Sequence, residues 1–170
     1  MPLTLLPDDI TALAARVVAE NAAAGRTVAI AESCTGGLVA GALTEIAGSS
    51  AVLDRGFVTY SNEAKMEMLG VASDIIETFG AVSVACVWAM AKGVLERSNA
   101  DVAIAVSGVA GPGGGTLHKP VGTVVFARVI RDADGEPDGE LKFFEGGEGP
   151  DGRATIRHQA TLCALELLLP

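Results

Sequence analysis

The stretch AESCTGG, residues 31–37, sets a serine, a cysteine and a threonine side by side ahead of two glycines. The preceding TVAIAES reads as a buried strand, and CTGGLVAGALTEIAG reads as a helix with Leu38, Ala42 and Ile46 on one face. A hydroxyl placed where a strand turns into a helix stands at the sheet edge, next to amides that the first helical turn leaves without partners. Such amides, here those of Thr35, Gly36 and Gly37, attract an oxyanion or a phosphate. Ser33 is therefore a candidate nucleophile with donors beside it. Taken alone, the segment is equally a plain helix start, with Ser33 or Thr35 as its cap and the glycines allowing close packing on the sheet.

Two further stretches fall where strands end, the usual position of a ligand site in an α/β sheet. In TYSNEAK, Tyr60 and Lys65 lie across a strand-to-helix junction and can lean toward one pocket. In SGVAGPGGG, Ser107 and Gly108 close a strand and open a glycine-rich loop that fits neither GxxxxGKS nor GxGxxG. Hydrolysis through a serine nucleophile needs, besides that nucleophile, a base, donors for the developing oxyanion and a proton for the departing group. Ser33, Lys65, the amides after Ser33 and protonated Lys65 supply these in turn, with Tyr60 placed to hold or relay to the lysine. The lysine serves as a base only where its pKa falls from about 10.4 toward neutrality, which burial would achieve.

Cys34 competes for the nucleophile's role, because a helix N-terminus lowers a thiol pKa. Directly after a strand-end serine, however, its side chain is expected on the opposite face of the sheet.

Elements that position these residues can be placed coarsely. Asp8 or Asp9 is expected to cap a helix running to about Ala24, where Gly25 stops it. AVLDRGFVTYS reads as strand, NEAKMEMLG as a short helix capped by Asn62, SDIIETFG as another, and SVACVWAMAKGVLERSN as a long helix. DVAIAVSG and VGTVVFARVI read as strands, and the polar turn RDADGEPDGE leads to the strand LKFFEGG before DGRATIRHQATLCALELLL closes as a helix. Alternating elements early and a hairpin late predict an α/β fold, a three-layer α/β/α domain with a mixed sheet, over residues 1–170.

Composition narrows the function classes. The chain has 170 residues, 49% hydrophobic and 19% charged, with a net charge of −9. That charge argues against nucleic acid as a partner, since phosphate neutralisation needs clustered Lys and Arg. The three cysteines are widely spaced without a CxxC, so neither a disulfide scaffold nor a zinc site is expected, and the setting reads as a reducing cytoplasm. The start MPLTLLPDDI has no basic n-region, and no apolar run approaches a membrane span, so no membrane association is expected.

AESCTGG, AGSSAVLDRGFVTYSNEAK, GAVS at residues 80–83, SGVAGPGGG with KPVGTV, and the late GRATIRHQA, in that order, resemble the CinA C-terminal domain family from about Val17 onward. The resemblance implies hydrolysis of the carboxamide of nicotinamide mononucleotide to nicotinate mononucleotide and ammonia, with a serine nucleophile, a lysine base and no metal or other cofactor. It places these roles at Ser33 and Lys65, with Tyr60 near both. Ser107 stands where the family has threonine or serine, and Arg153 matches the arginine of a late GDR. Here the segment reads GPDGR, with Gly152 inserted before Arg153. Arg153, Ser107, Gly108 and the glycine loop are candidates for the phosphate and ribose.

After GAVS the family shows acidic residues, whereas this chain has VACVW, which predicts an apolar helix face and a homodimer contact. A pyridine-nucleotide-binding regulatory module without hydrolysis is the second reading. A sensor has no need of a base beside a hydroxyl.

Overall fold

The structure, a computed structural model, describes residues 3–134 and 137–170. Its elements are α1 (Asp8–Ala23), β1 (Val28–Glu32), α2 (Leu38–Thr44), a 3-10 turn (Ser49–Ala51), β2 (Leu53–Val58), α3 (Asn62–Leu69), α4 (Ser73–Phe79), α5 (Val84–Glu96), β3 (Val102–Gly108), β4 (Thr123–Ile130), β5 (Asp138–Phe143) and α6 (Gly152–Glu166). The strands form one sheet in the order β2-β1-β3-β4-β5. β1 pairs in parallel with β2 and β3, while β4 is antiparallel to both β3 and β5. The expected mixed three-layer fold is thus the observed one.

Side chains alternate across a strand with a period of two, and this sheet uses the alternation to make two unlike faces. Val28, Ile30, Val102, Ile104, Val106, Val124 and Phe126 project into a core with α1, α2 and α6. The intervening Ala29, Ala31, Ala103 and Ala105 face the other way, where α5 lays Cys86, Val87, Met90, Ala91 and Val94 against them. Small side chains on the sheet let α5 sit close to it. Gly93 then lets α3 approach from outside, since a methyl group there would overlap the Leu69 carbonyl. This stacking of β1 and β3, α5 and α3 brings Lys65 of α3 over the carboxyl ends of the central strands.

Several expected local features differ. The α1 cap position is Pro7, and neither Asp8 nor Asp9 caps the helix with its side chain. The Asp9 carboxylate instead pairs with His158 at 2.7 Å, linking α1 to α6. α3 is capped by Ser61, whose Oγ accepts from the Ala64 amide at 3.0 Å, so Asn62 is left as the first helical residue. β5 begins at Asp138, inside the segment expected as turn, because its pairing to β4 extends to Arg128. Gly135 and Glu136 of that turn, and Met1 and Pro2 of the N-terminal stretch, lie outside the described residues.

The apolar face of VACVW is only partly open to solvent, with Cys86 and Val87 buried. Val84 and Trp88 are half-buried and lie against Gly139 of β5, so the feature that suggested a subunit contact is used inside the chain.

Gly93→Ala is expected to lower stability by roughly 1–3 kcal/mol, the usual cost of forcing a methyl into a filled contact. A urea titration should show a lower midpoint with an unchanged slope.

Candidate active site

The ladder of β1 runs one residue past the strand. The Ser33 amide donates to the Val106 carbonyl at 3.0 Å, and the Thr59 amide to the Glu32 carbonyl at 2.9 Å. Ser33 keeps the phase of Ala29 and Ala31, and Ser107 keeps that of Ala103 and Ala105, which directs both hydroxyls to the α3–α5 side. The even-numbered neighbours go to the other side. The Glu32 carboxylate accepts from the Val39 and Ala40 amides at 2.9 and 3.1 Å, capping α2. Cys34 joins the apolar core there, and burial pushes its thiol up to about 11. The expected opposition of Ser33 and Cys34 therefore follows from strand phase alone.

The start of α2 differs from the expectation. The helix begins at Leu38, and residues 34–37 form a tight turn in which the Gly36 amide donates to Ser33 O at 3.0 Å and Leu38 to Thr35 O at 3.1 Å. Gly36 and Gly37 have φ of +60° and +101°. Two successive positive φ values are the mark of a mirror-image turn, which explains the glycine pair. Neither glycine lines the pocket beside Ser33, and Thr35 is buried with its hydroxyl turned inward, unpaired among the described residues. None of Thr35, Gly36 and Gly37 lines the cavity. Glu32 already occupies the helix end that was expected to attract an anion. Among the described residues, the amides of Cys34 and Thr35 donate to no protein acceptor.

Lys65 is 1% exposed, and its ammonium nitrogen has three oxygen neighbours. Nζ lies 3.1 Å from Ser33 Oγ, 2.8 Å from Thr59 O and 3.2 Å from Tyr60 O. Carbonyl oxygens only accept, so two N–H bonds are committed to Thr59 and Tyr60. In the neutral amine the lone pair is then left for the Ser33 hydroxyl, the arrangement a base requires. Burial lowers the pKa of Lys65 from its ordinary value, with the Cys86 and Cys34 thiols opposing the shift. The shift has the sign catalysis needs.

A cavity of about 250 Å³ opens on this pair, lined by Ser107, Gly108 and Ala110 below and by Tyr60, Asn62 and Arg153 at the rim. The insertion of Gly152 does not displace Arg153, because Gly152 starts α6 directly against the Gly147 backbone. Arg153 reaches the Gly111 carbonyl at 2.6 Å and the Tyr60 hydroxyl at 3.0 Å. Tyr60 therefore meets Lys65 through its main-chain carbonyl, and its 63% exposed ring points to Arg153. Of the two expected roles, holding or relaying to the lysine, it is holding that the geometry offers, through the carbonyl. Of the glycine-rich loop only its first residues, Gly108 and Ala110, reach the cavity.

Asn62, Ala81 and Val82 also line the wall and were not singled out from the sequence, although GAVS had been noted as a motif. A further residue was missed. Arg157, one helical turn beyond Arg153, donates from Nε to Cys34 O at 3.0 Å and from Nη2 to Thr35 O at 3.3 Å. Its four-residue spacing from Arg153 was the available signal.

Fold and site together define a three-layer α/β domain with a buried serine–lysine contact at the carboxyl ends of its central strands. The model of the CinA C-terminal domain matches residues 10–170, and the chain belongs to that family. It is 49% identical over 157 residues to the nicotinamide-nucleotide amidohydrolase PncC of Enterobacter agglomerans, covering 92% of each chain. It is 51% identical over 146 residues to the protein of the same name from Escherichia coli K12, covering 86% of this chain and 84% of that one. The solved structure of competence/damage inducible protein CihA from Agrobacterium tumefaciens superposes with a TM-score of 0.89 at 51% identity, over 98% of this chain and 97% of the other. No helix among the described residues is long and apolar enough to cross a membrane.

With its thiol at about 11 against an ordinary 9.0, Cys34 has a thiolate fraction at pH 8 about a hundredfold below that of a free thiol. Iodoacetamide is expected to label it more than a hundredfold more slowly in the native protein than after denaturation, as read by peptide mass mapping.

Proposed function

We propose that this chain is a nicotinamide-nucleotide amidase that hydrolyses the carboxamide of nicotinamide mononucleotide through a serine–lysine pair. The observation that carries the reading is the hydrogen bond between the buried Lys65 Nζ and Ser33 Oγ at the head of an open cavity. The names of the relatives from Enterobacter agglomerans and Escherichia coli support the substrate class.

Ser33 Oγ attacks the carboxamide carbon while its proton passes to the Lys65 lone pair. The carbonyl oxygen becomes an oxyanion facing backbone amides of the 33–37 turn. Lys65 returns the proton to the nitrogen, ammonia leaves, and an ester to Ser33 remains. Water then attacks that ester with Lys65 again taking a proton, which returns to Ser33 Oγ as nicotinate mononucleotide departs. The Thr59 and Tyr60 carbonyls keep the amine aimed throughout. Arg153 at the rim offers the positive charge a nucleotide phosphate requires, and Ser107 offers a hydroxyl to the ribose or carboxamide.

Purified protein is expected to release ammonia from nicotinamide mononucleotide in the presence of a chelator. Ser33→Ala should lower kcat by at least about a thousandfold, while Cys34→Ala keeps most of it. Binding of the nucleotide without turnover would instead favour the regulatory module.

Burial lowers the Lys65 pKa, so the acid limb of activity lies below the range of an ordinary lysine, and activity falls as the pH drops through that limb. A bound pyridinium ring adds a like charge and lowers it further. The acid limb of kcat should therefore lie at lower pH than that of kcat/KM, and coincident limbs would remove any contribution from the substrate. Lys65→Arg should be inactive at every pH in the range, because arginine does not yield its proton.

A further inference from the structure

We infer that Arg157 is a positioning residue that holds the 33–37 turn so that the Cys34 amide faces the oxyanion formed at Ser33. The inference rests on the serine–lysine reading above and goes beyond it in assigning the donor and what orients it.

The geometry starts from the planarity of the peptide bond, in which a trans C=O and the following N–H point in opposite directions. Ser33 O is turned toward the Gly36 amide at 3.0 Å, which sends the Cys34 N–H the other way. Cys34 O is turned toward α6, where Arg157 Nε donates to it at 3.0 Å, so the Thr35 N–H points away from α6. Both amides are without a protein acceptor among the described residues; Cys34 lines the cavity with Ser33, whereas Thr35 is fully buried and does not. The amide of the residue after a nucleophile is a recurrent oxyanion donor on strand-to-helix turns.

Arg157 Nη2 also reaches Thr35 O at 3.3 Å, so one planar guanidinium grips two successive carbonyls. Besides Arg157, the Cys34 carbonyl has no other donor among the described residues. That grip adds to the Gly36–Ser33 and Leu38–Thr35 bonds in fixing the Cys34–Thr35 peptide, and with it the turn that presents the Cys34 amide. The guanidinium also puts a positive charge beneath the turn, where it favours a developing oxyanion in a site of low dielectric. Arg157 does not line the cavity, in contrast to Arg153. It therefore acts through the turn rather than by touching substrate.

The test measures covalent labelling of Ser33 by a small dialkyl fluorophosphonate. In that reaction Ser33 Oγ bonds to phosphorus, fluoride leaves, Lys65 takes the serine proton, and the phosphoryl oxygen occupies the oxyanion position. The probe depends on no particular amide substrate. Arg157→Gln should label about tenfold to a hundredfold more slowly than the parent protein, less than the roughly hundred- to thousandfold cost of losing an oxyanion donor outright, because the amide is loosened and not removed. Arg157→Lys should fall between them, since an ammonium keeps the charge and reaches one carbonyl but lacks the fork. Both should retain the parent's acid limb for labelling, because Lys65 is untouched. Rates are compared on protein shown to be folded by its circular dichroism.

Variants that label at the parent rate would overturn the inference and leave the serine–lysine reading standing. So would a displaced acid limb, which would mean that Arg157 acts on Lys65. A parent protein that does not label at all would overturn both.

Discussion

An amine enclosed within a protein costs free energy in its charged form, and the contact between Lys65 and Ser33 depends on that cost being kept. The two main-chain carbonyls of Thr59 and Tyr60 accept its N–H bonds, so the group is satisfied as a neutral donor pair and its remaining lone pair has one direction. Those carbonyls belong to the segment that leaves β2, while the amine arrives from α3 only a few residues later. A short connection thus supplies both the base and its holder. The nucleophile comes from a different strand, and the alanine-lined side of the sheet is what lets α5 and α3 stack closely enough for the two to meet.

The period-two alternation on β1 separates three adjacent functions. Glu32 faces one side and closes the end of α2, Ser33 faces the other and meets Lys65, and Cys34 returns to the first side as a core residue. Three neighbouring polar side chains are thereby kept from interfering with one another. A one-residue slip of β1 would exchange the serine for its neighbours and put a carboxylate or a high-pKa thiol against the amine. The parallel pairing of β1 with both neighbours holds the register against such a slip.

Much of this was legible in the residues. The order of elements, the mixed sheet, and the convergence of Ser33, Lys65 and Ser107 follow from strand-end positions and hydrophobic runs, whereas Arg153 was implied only by the family resemblance. The less legible parts were decided by tertiary contacts that composition does not encode. GG in AESCTGG reads as the opening of a helix, yet positive φ at both residues makes it a turn, and a carboxylate on the preceding strand takes the helix amides. Tyr60 reads as a residue that holds or relays to the lysine, but its type does not reveal that it does so by its carbonyl, with its ring left for Arg153. VACVW looked like an outward face because β5 begins earlier than its turn-rich sequence suggests and supplies the surface that partly covers it.

The contact between α6 and the nucleophile turn spans 123 residues of chain. At roughly 5–20 residues per second of synthesis, the segment bearing Ser33 waits many seconds before the residue that grips its carbonyls exists. Strand β1 also depends on β3 for one of its two ladders, and β3 too is made later. A nascent chain therefore carries the serine and lysine before it carries the element that fixes their surroundings. Docking of the last helix completes the domain and its reactive centre in one event, so partly made or truncated chains would expose an unsupported hydroxyl rather than a working site.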